Sequence, residues 1–236
     1  MDVRSTNSQF TTAVILQLRN YGDSHRIVEC LTRDFGRVAC LARNARASRR
    51  RFGGGLDQFA QVQACLKPKR TGLWSLESID LLDMRIGLRQ SLERLDRANI
   101  LCESLVSLLP EHEPVPAAFG ICVEALDDLV VGNIAKAFNF HPLLYEILGI
   151  APTMNRCVQC SSEPSLWFCL DFDLGGMVCD GCAQSRGSYR FSRTAISAWH
   201  GKSSVERDLR EAENVAKAWV ELHLGKGLRA GIARLT

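Results

Sequence analysis

Cys157-Val158-Gln159-Cys160 and Cys179-Asp180-Gly181-Cys182 are two C-x2-C pairs separated by eighteen residues. Each pair offers two thiolates from one tight turn, and the stretch between is long enough to fold back and join them. Four sulfurs around one ion make a closed tetrahedral site, the arrangement of structural zinc. Four thiolates leave no open position for water, so the pattern predicts one structural Zn2+ and no catalytic one. The binding energy of such an ion becomes folding energy for a segment with little core of its own. Asp173-Leu174-Gly175-Gly176 supplies a turn ahead of the second pair, and Gly181 lets the second knuckle bend. The other cysteines read differently. Cys169 sits in the apolar run Leu166 to Leu170, and Cys30, Cys40, Cys65, Cys102 and Cys122 lie among apolar residues, so all six are expected to pack as small hydrophobes.

The second chemical pattern is cationic. Arg43, Arg46, Arg49, Arg50 and Arg51 fall within nine residues and are followed by Phe52 and three glycines, Gly53, Gly54 and Gly55. Arg33, Arg37, Lys67, Lys69 and Arg70 lie on neighbouring turns and strands. Guanidinium groups grip phosphate bidentately and stay charged when partly desolvated. The plain alternative is a solvated loop without a partner. A small β-barrel beneath it, a scaffold that takes single strands, favours a nucleic-acid track. Phe35, Phe52, Phe59 and Trp74 interleave with these charges and could stack on bases, although at least two of them belong to a core. A third region, Leu88 to Leu109 and Ile134 to Leu148, is leucine-rich and mostly core. A groove flanked there by Arg85, Arg89, Arg94 and Arg97 would suit a partner peptide with an acidic, apolar tail.

No reaction is proposed by the remaining residues. A zinc deaminase needs His-x-Glu upstream of its cysteines, and none of the five histidines is followed that way. HExxH, GxxxxGK[ST], GxSxG and GxGxxG are also missing. The expected class is non-enzymatic.

The elements that must hold these groups follow from periodicity. Thr11 to Arg19, His25 to Thr32, Arg37 to Leu41, Phe59 to Lys67 and Gly72 to Asp80 read as five short strands with turn signals between most of them, Gly36 among them. Five strands under a basic surface suit an OB-type barrel, which an SH3-like barrel would resemble at this level. After Met84 the period becomes helical. Helices are expected from Leu88 to Leu108, from Ala117 to Val131 and from Ile134 to Leu148, the last kinked or split at His141-Pro142. Further helices begin at Ser192 and run from Val205 to Leu224, where Gly225 and Gly227 loosen the chain. The fold class is therefore α+β: an OB-fold nucleic-acid-binding domain at 1–82, a helical domain at 83–153 and 190–236, and a four-Cys zinc module at 154–189.

Bulk numbers agree with a globular protein of 236 residues, 46% hydrophobic and 23% charged. The net charge of +3 conceals an asymmetry: residues 1–80 carry thirteen Lys and Arg against seven Asp and Glu. That basic third suggests a polyanionic partner. The polar start, Met1 to Gln9, lacks a signal-peptide core, and no apolar run approaches eighteen residues, which points to a cytoplasmic protein without a membrane partner.

In this order the motifs resemble one family, the bacterial DNA repair and recombination mediator RecO. The matching residues are Tyr21-Gly22-Asp23-Ser24-His25-Arg26-Ile27-Val28, Thr32 to Val38, Ala42 to Gly54, and Leu56-Asp57-Gln58-Phe59. Leu148-Gly149-Ile150-Ala151-Pro152 precedes the first cysteine pair, Gly175-Gly176 the second, and His223 to Arg229 resembles the family's end. The resemblance implies an OB fold, a helical body and a zinc module. It implies binding of single- and double-stranded DNA, annealing of complementary strands, and partnership with RecR and with the C-terminal tail of the single-stranded DNA-binding protein. It thereby implies help in loading the recombinase during gap and break repair, near the nucleoid. Where this chain has Arg43-Asn44, family members often have Lys-Gly. A zinc-ribbon module that binds RNA or protein is the alternative reading of the same residues.

Overall fold

The computed structural model describes residues 7–183 and 190–224. The chain divides into two compact units, Met1–Val131 and Gly132–Thr236. In the first unit, β1 (Gln9–Tyr21), β2 (His25–Thr32), β3 (Gly36–Ala42), β4 (Gln61–Lys67) and β5 (Trp74–Asp83) close a barrel in the order β1-β2-β3-β5-β4. The closure is the parallel pairing of β3 with β5, at Cys40 with Trp74 and Leu41 with Ser75. On one side Leu41 lies beside Ile27 and then Arg19; on the other it lies beside Ser75 and then Lys67, whose neighbour Leu66 pairs with Gln9. One circuit thus returns to β1 about ten residues lower, the stagger of a strongly tilted, closed barrel.

Alternation along each strand fills this barrel. Ala13, Ile15, Val28, Cys30, Val38, Cys40, Val62, Ala64, Leu66 and Leu76 point inward and are buried together with Phe52 and Trp74. Each such Val or Leu contributes roughly 2 kcal/mol through its burial. Val14 and Leu16, on the opposite face of β1, are also fully buried, and that strand packs against α2 (Leu92–Leu108). This double burial explains why β1 reads as only partly alternating. One turn of helix, α1 (Arg49–Phe52), joins β3 to β4 and inserts Phe52 into the barrel.

A 3-10 turn (Ile86–Gln90), α2 and α3 (Pro116–Val131) belong to this same unit. The first compact unit therefore runs through α3 to Val131. Residues 109–113 lie along β3: His112 N–H donates to Arg37 O at 2.9 Å, Arg37 forms a β-bridge with Glu111, and the His112 ring stacks on Trp74 at 4.9 Å. Gly36 makes this approach possible. Its φ is +68°, and a Cβ there would lie 1.9 Å from Glu113 O.

In the second unit, α4 (Ile134–Ala137) and α5 (Phe140–Leu148) replace one continuous helix. Pro142 is the cause. It stands in the first turn of α5, where its missing N–H is no loss, while its ring would clash with Phe138 O in an unbroken helix. The cysteine segment contains a three-stranded sheet that periodicity did not announce, β6 (Trp167–Asp171), β7 (Gly176–Cys179) and β8 (Arg190–Ser192), in the order β7-β6-β8. Then follow α6 (Thr194–Trp199) and α7 (Glu206–Leu224). Tyr145 Oη donates to Ala216 O at 2.8 Å and Trp219 Nε1 to Ile150 O at 2.7 Å, tying α5 and its C-terminal turn to α7. Gly225 and Gly227, with the family-like run that continues to Arg229, lie outside the described residues.

Candidate nucleic-acid interface and metal centre

Strand register decides which cations can act together. Arg26 pairs with Ala42, so the β1–β2 hairpin tip and the end of β3 share one rim of the barrel. Leu41 pairs with Ser75 and Ser75 with Lys67, so Lys67 lies in the same row as Leu41, but β5 runs parallel to β3 and the β4–β5 turn that leads into it points away from the hairpin tip, toward the Gly36 end of β3. Arg43, Arg46 and Arg50 are exposed on the segment leaving that rim, and Lys67, Lys69 and Arg70 are exposed at the end of β4 and on the β4–β5 turn. The backbone of Arg49 opens α1, and its side chain lies outside the description. Among the described residues none of these six side chains, nor Arg51, forms an ion pair.

The basic segment is built rather than loose. Arg51 Nη2 donates to Arg43 O at 2.6 Å, its Nε to Ser48 Oγ at 3.3 Å, and its guanidinium lies over the Phe52 ring at 5.1 Å. Arg46 N–H donates to Ser24 O at 3.1 Å, and Arg46 Nη1 to Asp23 O at 3.1 Å. Asn44 N–H donates to His25 Nδ1 at 2.9 Å, which fixes the proton of the neutral ring on Nε2. Asn44 has a φ of 54°, the left-handed region that Asn tolerates. A pocket lined by Arg26, Arg46, Ser48, Phe52, Gly54 and Asp57 opens beside this segment.

Two expected members leave the track. Arg33 is exposed, but it sits on the β2–β3 turn, six strand residues from Ala42, about 20 Å away along β3. Arg37 is internal. Its side chain is 13% exposed, paired with Glu29 at 3.1 Å and Glu111 at 3.3 Å, with Nε donating to Leu109 O at 2.9 Å. The segment 109–113 covers that end of the sheet. The arginines expected to flank a peptide groove are likewise occupied. Arg85 is fully buried, Arg89 pairs with Asp57, Arg94 donates to Gly87 O and Val130 O, and Arg97 pairs with Glu93. Phe52, Phe59 and Trp74 are core, and Phe35 is half-buried against Trp74, so these rings are not free for bases.

Sequence reasoning passed over Arg19, Tyr21 and Arg26, which the register places beside the basic segment, with Arg19 paired to Glu29 at 3.6 Å. Arg19 and Tyr21 alternate with the inward Leu18 and face out beside Ile27 and His25. Arg26 Nη1 donates to Leu56 O at 3.0 Å, anchoring the far end of the basic segment. The i, i+2 spacing of Arg19 and Tyr21 at the end of a long strand was the available signal.

The four cysteines come together as expected. The Sγ atoms of Cys157, Cys160, Cys179 and Cys182 all lie within 4.8 Å of one another. Cys160 and Cys179 Sγ are 3.7 Å apart, close to the ~3.8 Å between ligands of a tetrahedral ion with metal–sulfur bonds of about 2.3 Å. Backbone bonds shape both knuckles: Ser161 N–H to Cys157 O at 2.9 Å and Cys182 N–H to Cys179 O at 3.0 Å. The thiols share protons unequally. A hydrogen bond from Ser162 pulls Cys160 down to about 6, while bonds with the Cys160 and Cys179 sulfurs push Cys182 up to about 12. This donor set could hold a metal ion. Cys169 is buried beneath it and outside the set, and burial raises its pKa.

The chain matches the family description "Recombination protein O N terminal" over residues 8–101 and "Recombination protein O C terminal" over residues 89–231. It is 32% identical over 238 residues to a protein of Anaeromyxobacter sp. (strain Fw109-5) named DNA repair protein RecO, covering 93% of this chain and 92% of that one. It is 34% identical over 172 residues to the protein of that name from Pelobacter propionicus, covering 72% and 70% of the two chains. The relative of that name from Geobacter sulfurreducens is 34% identical over 175 residues, 73% and 72% of the two chains.

Proposed function

This chain belongs to the recombination protein O family of DNA repair proteins, and from that premise we propose that it acts by binding and annealing DNA strands on the basic rim of its barrel. The observation that carries this reading is the set of cations on the segment that leaves the rim, Arg43, Arg46, Arg50 and Arg51, with Lys67, Lys69 and Arg70 at the other end of the row that crosses the barrel face, all free of ion pairs among the described residues. Cations without acidic partners are the groups that release counterions when they meet phosphates. Annealing requires no covalent step. Two polyanions must be held close, their repulsion neutralised, while their bases stay accessible. A rim that grips phosphates from outside the sheet meets those needs.

The finer partners follow from the family. We assign to this chain cooperation with RecR and with the C-terminal tail of the single-stranded DNA-binding protein, so that recombinase loads onto coated strands. The four cysteines would hold one structural Zn2+, which would cross-link the two knuckles and leave no coordination position for a substrate.

The test is binding to a single strand and to a duplex by fluorescence anisotropy across a range of KCl concentrations. Changing Arg43, Arg46 and Arg50 together to Ala should weaken both complexes. With three phosphate-neutralising charges removed, the slope of log K against log salt on the single strand should flatten by about 2. Unchanged affinity and slope would overturn the assignment of the rim. Annealing of strands precoated with the single-stranded DNA-binding protein, with its tail present or deleted, tests the partner.

A further inference from the structure

We infer that Tyr21 is the base-stacking platform of this interface, and that it gives the rim a preference for unpaired strands. The inference rests on the proposed DNA-binding role of the rim. Tyr21 closes β1 at the hairpin tip, pairs with His25, and is 53% exposed. A large ring left in water at the tip of a hairpin has no packing role to explain it. In the barrel strands it shares that exposure only with Phe10, which lies at the opposite end of β1 beside Cys65. The four rings first expected to stack on bases are in or against the core, so Tyr21 is the exposed ring that borders the segment carrying Arg43, Arg46 and Arg50, while Phe10 borders the Lys67 end of β4.

The tip is also held still. Its Asp23 and Ser24 carbonyls accept from Arg46, its His25 ring accepts from Asn44 N–H, and Ser24 Oγ donates to Asn44 Oδ1 at 2.9 Å. The hairpin tip that bears the ring is thereby held against the segment that carries Arg43, Arg46 and Arg50. On the same outward face, Arg19, Ile27, Leu41, Ser75 and Lys67 are paired in one row across the five strands. A strand whose phosphates meet the cations on this rim brings its bases over that row, with Tyr21 at the edge. Every base has a π-face, so stacking there selects unpaired bases without selecting sequence. A duplex keeps its bases stacked on each other and gains nothing from the ring.

The test uses the full chain with three probes of equal length: a thymine single strand, the same strand made of abasic sites, and a duplex. Tyr21→Ala should weaken binding to the thymine strand about tenfold, leave the abasic strand and duplex within twofold of wild type, and Tyr21→Phe should bind all three as wild type does. Equal binding of the thymine strand by Tyr21→Ala and wild type would overturn the inference. So would an equal loss on all three probes, which would mark a folding or charge effect. Failure of the underlying reading looks different: the wild-type chain would then ignore all three probes at low salt.

Discussion

Arg85 offers the sharpest test of how the barrel is locked. It is fully buried, with Nη1 donating to Phe59 O at 2.9 Å, Nη2 to Gln61 Oε1 at 2.9 Å and Nε to Asp127 Oδ1 at 2.8 Å. One side chain thus ties the start of β4 to α3, just past the basic segment. Arg85→Met keeps much of the volume and removes every donor. Phe59 O and Gln61 Oε1 are left without their partner, at about 1–3 kcal/mol each. The vanished cost of burying a guanidinium offsets part of this. Asp127, 53% exposed, regains water. A net loss near 3 kcal/mol is expected, against about 1 kcal/mol for Asp127→Asn. Hydrogen exchange of peptides covering β1 and β4 reads it directly, because Phe59 N–H is bonded to Ile15 O at 2.8 Å and opens with the barrel. A loss below about 1 kcal/mol for Arg85→Met, or an equal loss for the two variants, would refute the lock.

Three further outcomes are expected. Cys157→Ser should lower metal content and the thermal stability of the whole chain while leaving affinity for single-stranded DNA within twofold; purified wild-type protein without bound zinc would contradict the assignment. Gly36→Ala places a Cβ against the Glu113 backbone at a positive φ, so it should displace residues 109–113, cost about 2–4 kcal/mol and shift Trp74 fluorescence to the red as its cover moves. His141 is pulled down to about 3 by burial and by the Lys217 charge, whereas the unfolded ring takes a proton near its ordinary value. Unfolded chains therefore bind more protons between those pH values, and stability falls as pH drops from 7 toward 3. From pH 7 to 5 the loss is about 1–2 kcal/mol, and His141→Gln should flatten that part of the urea-unfolding profile.

Much of the barrel was legible because its strands alternate and its turns carry Gly22 and Gly36. The cysteine centre was legible because ligand spacing is a local constraint that tertiary context does not rewrite. Pro142 announced the break between α4 and α5 for the same reason. Tertiary facts were not legible. Arg37 and Arg85 read as surface cations, since nothing local reveals that Glu29, Glu111 and Asp127 come to meet them. Arg33 is near Arg43 in sequence terms but on the far turn, a distinction that only strand register makes. Trp74 read as a candidate for stacking because the ring that covers it, His112, arrives from outside the barrel. The sheet β6–β8 was hidden in an apolar run too short to separate strand from packing.

Photocrosslinking is the most direct test of the claim that DNA lies on the barrel rim. A single strand carrying 5-iodouracil would be irradiated in complex with the full chain, and the attached peptides mapped by mass spectrometry. The account predicts attachment within residues 19–27, 41–52 and 67–75, with Tyr21 prominent. Attachment confined to the β2–β3 turn around Arg33, or to residues 132–224, would contradict it.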